Sequence, residues 1–212
     1  PDVTKTTMGR VPILGYLINE YRSVKAKAGV VLAINYNKPS LEGLVSDVKR
    51  EGRPDRDGAL RLASFYREIS SYFHNNSEAR ALYAYALFWS GDHEGALLEY
   101  RNAIDIHNAF FWSLYNYGVV SLRLGKYNDA VYFFKRALSA DPRAASLVVS
   151  RSRLYSDVWR GIPGVQAIVL RNIETSRRDI LEVLSLFEKA REDLSVRGFL
   201  KERVDRLEPH IF

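Results

Sequence analysis

Apolar residues recur three and four positions apart along most of the 212-residue chain, the spacing of one face of an α-helix. Ile13, Leu14, Leu17, Ile18, Tyr21 and Val24 share one such face, with Pro12 near its start and Gly29 at its end. Residues 30–37 change period: Val30, Leu32, Ile34 and Tyr36 alternate with smaller or polar neighbours, which predicts a short extended segment. Ser40 is placed to cap a helix carrying Leu44, Val45 and Val48, and residues 53–58 read as a turn. From Ala59 the helical period returns through Leu62, Phe65, Tyr66, Ile69 and Phe73. Beyond Pro142 a helix is expected over 144–160, broken at 161–164. The apolar run 165–173 fits either a strand, which would pair with 30–37, or a helix, and its helical surroundings favour the helix. Ser176 and Asp179 have the spacing of a capping box. It opens a helix with Ile180, Leu184, Phe187, Ala190 and Leu194 on one face and Glu182, Ser185, Lys189 and Glu192 on the other. Gly198 is expected to stop that helix, and a charged helix over 199–207 to follow.

Between these ends the pattern repeats. Shifted by 34 residues, Gly91 meets Gly125, His93 meets Tyr127, Ala96 meets Ala130, Tyr100 meets Phe134, and Ala103 meets Ala137. Tyr83 and Ala84 likewise meet Tyr117 and Gly118. A period of this length with small residues in register is one helix-turn-helix unit, stacked on its neighbour because neither buries its apolar face alone.

This pattern resembles the tetratricopeptide repeat family, in which a small residue, an aromatic, a Gly-containing turn, Ala, an aromatic, Ala and Pro follow in order. The second copy matches at Gly118, Gly125, Tyr127, Ala130, Phe134, Ala137 and Pro142. The first has His93 at the turn aromatic and Asn108 at the proline, and both copies depart early, with Arg80, Leu114, Leu87 and Ser121 at the family's Trp and Tyr positions. The resemblance implies an all-α solenoid over 40–160, with clear repeats at 77–110 and 111–144 and a degenerate unit at 40–76. Residues 1–39 then form an N-terminal helix plus the extended segment, and 161–212 form capping helices.

Charge adds a second candidate surface. The chain carries 31 basic and 25 acidic residues, net +6. Residues 59–142 hold eight of each sign, whereas 143–178 hold seven arginines against Asp157 and Glu174. Arg151, Arg153, Arg160, Arg171, Arg177 and Arg178 therefore form a candidate basic patch for an acidic partner, nucleic acid or an anionic surface. A solvated helix face explains the same bias, since no aromatics interleave with the arginines. With no cysteine, a thiol catalyst, a disulfide or a cysteine-bound metal is excluded. That composition suits a reducing cytosol and an exported bacterial protein equally. No apolar run reaches the ~18 residues of a membrane span. The sequence starts at Pro1, which leaves room for a signal, an anchor or further domains upstream.

Catalytic constellations are not evident. His74, His93, His107 and His210 show no metal-ligand spacing, and no phosphate-binding glycine loop or nucleophile elbow occurs. Asp55 and Asp57 before Gly58 resemble the start of a calcium loop but lack the remaining ligands, and read as a turn. Residues 75–77 match a glycosylation sequon, with Ser77 more simply a helix N-cap. No cofactor or metal is expected.

By the resemblance, the first helix of each repeat lines a concave groove. The matching positions are Glu78, Ala81, Tyr85, Phe88 and Trp89, then Trp112, Tyr115, Asn116, Val119, Leu122 and Arg123. Family members that grip a peptide C-terminus use lysine, asparagine and arginine here. Of these only Asn116 has a counterpart, so an apolar segment or an amphipathic helix of another protein suits the groove better. Two states of it are open: exposed, or filled by the chain's own N-terminal segment or its 180–194 helix. The function expected is a non-enzymatic interaction or scaffold module in assembly of a larger complex. The alternatives are a helical-repeat nucleic-acid-binding protein using 143–178, and the regulatory part of a larger enzyme.

Overall fold

The computed structural model describes residues 53–72, 74–144 and 165–210. The extended segment at 30–37, the helices expected before residue 53 and the helix over 144–160 lie outside them. The described residues form helices and no strand: α1 (Arg56–Tyr72), α2 (Ser77–Ser90), α3 (His93–Ile106), α4 (Phe111–Arg123), α5 (Tyr127–Ser139), α6 (Val165–Glu192) and α7 (Val196–Arg206).

Helices α1 to α5 pack each against the next, α6 packs on α5, and α7 folds back on α6 and touches α4. The 34-residue register is visible in the backbone. The turn after α2 closes with the Asp92 amide donating to Leu87 O (2.9 Å), and the turn after α4 closes with the Lys126 amide donating to Ser121 O (2.8 Å). Both turns need a left-handed residue, which glycine supplies without a Cβ clash: Gly91 at φ 99° and Gly125 at φ 70°. Ala96, Ala103, Ala130 and Ala137 are fully buried between paired helices. Tyr100 and Phe134 fill the space beside them, and Leu62, Tyr66 and Ile69 of α1 are buried one period earlier. His93 stacks on Phe88 with centroids 4.7 Å apart, a packing role.

Four local expectations need correction. The turn assigned to 53–58 already contains the start of α1, because the Asp55 carboxylate accepts from the Gly58 amide (2.6 Å) and so acts as an N-cap. Asn76, not Ser77, caps α2: its side-chain oxygen accepts from the Ala79 amide (2.8 Å), leaving Ser77 as the first helical residue. Helix α6 starts at Val165 and runs through Ser176 and Asp179, so their capping-box spacing marks no terminus. Val169, Ile173, Ile180 and Val183 are all fully buried, so one apolar stripe continues across that point, while Leu194 lies beyond the helix and is exposed. Gly198 stops nothing, since it lies in the first turn of α7. The break comes earlier, where the Asp193 carboxylate accepts from the Ser195 amide (2.8 Å) and hydroxyl (2.7 Å).

Candidate protein-docking groove

Helices α2 and α4, the first of each repeat, present their inner faces side by side. Tyr85 and Phe88 come from α2, and Trp112, Tyr115, Asn116 and Val119 from α4, all buried, with Ala81 and Leu122 buried as well. Trp89 and Arg123 are partly buried, as is Glu78. The rings pair within each helix: Tyr85 meets Trp89 edge-on at 6.2 Å on α2, and Trp112 meets Tyr115 edge-on at 5.9 Å on α4. These are the residues expected on the inner face, and among the described residues their surface is covered. Trp112 is 1 % exposed.

Among the described residues the covering comes from the end of α7 and residues 207–210, and the N-terminal segment expected there lies outside them. A proline at 209 keeps its neighbours out of helix, so the chain leaves Arg206 extended and runs along α4. Asn116 reads its backbone on both sides: the amide Nδ2 donates to His210 O (2.6 Å), and Oδ1 accepts from the His210 amide (2.9 Å). Two turns further along α4, the Arg123 guanidinium donates to the carbonyls of Asp205 (2.8 Å) and Leu207 (2.9 Å). The His210 ring stacks on Tyr115 (5.8 Å) and tilts against Trp112 (5.6 Å). Glu208 pairs with Arg53 (3.2 Å), whose guanidinium also lies over the Trp89 ring (5.4 Å). Leu207 and Pro209 are buried.

Desolvation sets the electrostatics here. Burial raises the Tyr85 and Tyr115 phenols well above their ordinary value, and the neighbouring charge of Glu208 pushes the same way. Both therefore stay neutral. Burial also pushes the His210 imidazole down to about 4, so at neutral pH it is an uncharged ring suited to stacking. Asp179 of α6, near Tyr115, is raised by desolvation against the opposing pull of Arg203, which bonds it at 2.5 Å and Glu182 at 2.7 Å.

Of the expected basic patch, Arg171, Arg177 and Arg178 are among the described residues, all on α6. Arg151, Arg153 and Arg160 lie outside them. Arg177 donates to the Ala140 carbonyl (3.5 Å), Arg178 to the Thr175 hydroxyl (3.3 Å), and Arg171 is exposed on α6. Among the described residues no three His, Asp or Glu side chains converge to hold a metal, and no helix is long and apolar enough to cross a membrane.

The sequence model of the tetratricopeptide repeat matches residues 111–144, the stretch that begins α4, contains α5 and ends past Pro142. Over that stretch the chain is similar to a tetratricopeptide repeat, in agreement with its all-helical fold. No curated protein matches the chain. A repeat of this kind suggests a protein-interaction module in the general sense, and α4, which carries Asn116 and Arg123, lies within the matched stretch.

What sequence reasoning missed is the ligand-like role of residues 207–210. The four histidines were weighed as metal ligands, a test that hides an aromatic role for His210. Pro209 beyond a charged helix signals extended chain, but nothing local says where that chain goes.

Proposed function

We propose that the inner face of the repeats docks an extended segment of a partner protein in the place now held by residues 207–210, as a non-catalytic module in assembly of a larger complex. The observation that supports this is the paired Asn116 contact to the His210 amide and carbonyl. It recognises extended backbone and makes no demand on the side chain. Specificity then comes from the flanking sites: an apolar residue in the position of Leu207, an acid facing Arg53, and a flat ring between Trp112 and Tyr115. Aromatic anchors of this kind dominate interface energy.

The experiment uses the chain ending at Arg206 and a fluorescein-labelled peptide with the sequence of residues 207–212. Saturable binding to the shortened chain is expected, weaker for the full chain, whose own segment competes, and about tenfold weaker for Asn116→Ala in the shortened chain. A folded shortened chain that does not bind the peptide would refute the proposal.

A further inference from the structure

A second surface, which shares Leu122 and Arg123 with the groove, has a different chemistry. A cleft of about 770 Å³ opens between the α4–α5 turn region and the α6–α7 hairpin. Its floor is apolar, built from Leu122, Val131, Phe187, Leu200 and Val204. At its mouth Tyr127 meets Phe187 edge-on at 5.8 Å and is 53 % exposed.

The rim is cationic. Arg191, Arg197 and Lys201 line the cleft, are exposed, and have no anionic partner among the described residues. Arg123 also lines it but is occupied, by the carbonyls of Asp205 and Leu207 and by the Asp205 carboxylate at 3.5 Å. Asp205 is the acid in the lining; Asp129, Glu182, Glu188, Glu192 and Glu202 of the same helices stand outside it. Three cations without an anionic partner among the described residues, beside an apolar lining, are complementary to a segment that is apolar on one side and acidic on the other.

We infer that this cleft docks an acidic amphipathic segment of another protein. The chain's own remaining segments do not fit that description. Residues 1–52 carry Lys5, Arg10, Arg22, Lys25, Lys27, Lys38, Lys49 and Arg50 against fewer acids, and 145–164 carry three arginines against Asp157. A bilayer surface is too flat to reach the floor of a cleft. A nucleic-acid strand needs stacking platforms in series, and the lining offers two rings, Tyr127 and Phe187, packed edge-on against each other. The cleft shares Leu122 and Arg123 with the groove, but the inference does not rest on the groove reading, because its three cations and Tyr127 lie outside the groove and it uses none of Trp112, Tyr115 or Asn116.

The test is fluorescence anisotropy of the full chain with a labelled helical peptide carrying Leu and Phe at i, i+3, i+4 and i+7 and Glu elsewhere. Saturable binding is expected, weakening as salt rises. The triple variant R191E/R197E/K201E should lose affinity by about tenfold or more while melting as the parent does, since all three side chains are exposed and have no ion-pair partner among the described residues. Tyr127→Ala should weaken binding without changing its salt dependence. Absence of saturable binding, or binding unchanged in the triple variant, overturns the inference. So does tighter binding of phosphatidylserine vesicles or a single-stranded oligonucleotide that the triple variant abolishes.

Discussion

Gly118 stands where α4 and α5 cross, and a Cβ built there would come within 2.5 Å of the Phe134 ring. Ala130 and Ala137 on α5 are likewise fully buried at the pairing surface. A longer side chain has no space at these points, so Ala130→Leu should overpack the hairpin and destabilise by ~1 to 3 kcal/mol. Urea unfolding would measure it, and an unchanged midpoint would contradict the register. Trp112 illustrates the other side of the packing rule. It lies 1 % exposed among Phe111, Tyr115 and His210. Trp112→Ala is therefore expected to destabilise by ~3 to 5 kcal/mol, because a large ring is removed from a filled site. Loss of partner binding in that variant would reflect lost packing as much as a lost contact. Both small residues and rings were legible in the sequence as positions in a repeat. Burial of the rings was not, since the covering residues lie 94 positions away in the case of His210 and Asn116.

At the scale of single helices, termini obey local chemistry where a side chain can reach the free amides. Asn76 does so for α2 and Asp92 for α3, the latter accepting from the Gly95 amide at 2.8 Å. Asn76→Ala should cost about 1 kcal/mol in global stability by denaturant titration, and Asn76→Ser much less, because serine retains a cap oxygen. Helix α6 shows when local signals fail. The Ser176-x-x-Asp179 spacing resembles a start, yet Ser176 is buried mid-helix facing Tyr115, and Asp179 bonds Arg203 of α7. Those two side chains serve tertiary contacts that are invisible in a window of a few residues. The apolar stripe through Val169, Ile173, Ile180 and Val183 decides the helix length instead, because each residue finds a buried position.

Across the whole molecule, the segment 207–210 joins the end of the chain to the inner face of the repeats. Its seat depends on a neutral His210, whose folded value of about 4 lies below the 6.5 of an exposed imidazole. The released segment therefore binds a proton more readily than the seated one. The stability of the seat is complete above pH 6.5 and is lost as pH falls towards 4. The groups facing this segment are Tyr115 and Asn116 of α4, Arg123 at its end, Arg53 opposite Glu208, and Asp179 behind Tyr115. An NMR titration of the imidazole should give a midpoint near 4, with amide protection at residue 210 falling over the same range. His210→Phe should keep protection flat between pH 6.5 and 5, and a midpoint near 6.5 in the parent would show that the ring is not seated. The sequence by itself determined the repeat: period, turn glycines, close-packed alanines and the aromatic inner face all follow from contacts between residues within one 34-residue unit or its neighbour, where spacing is geometry. Only the tertiary structure decided that this face is covered and by what. An extended segment bound through its backbone to Asn116 and Arg123 leaves no periodic signature, and its place depends on how α6 and α7 turn the chain back across the repeats.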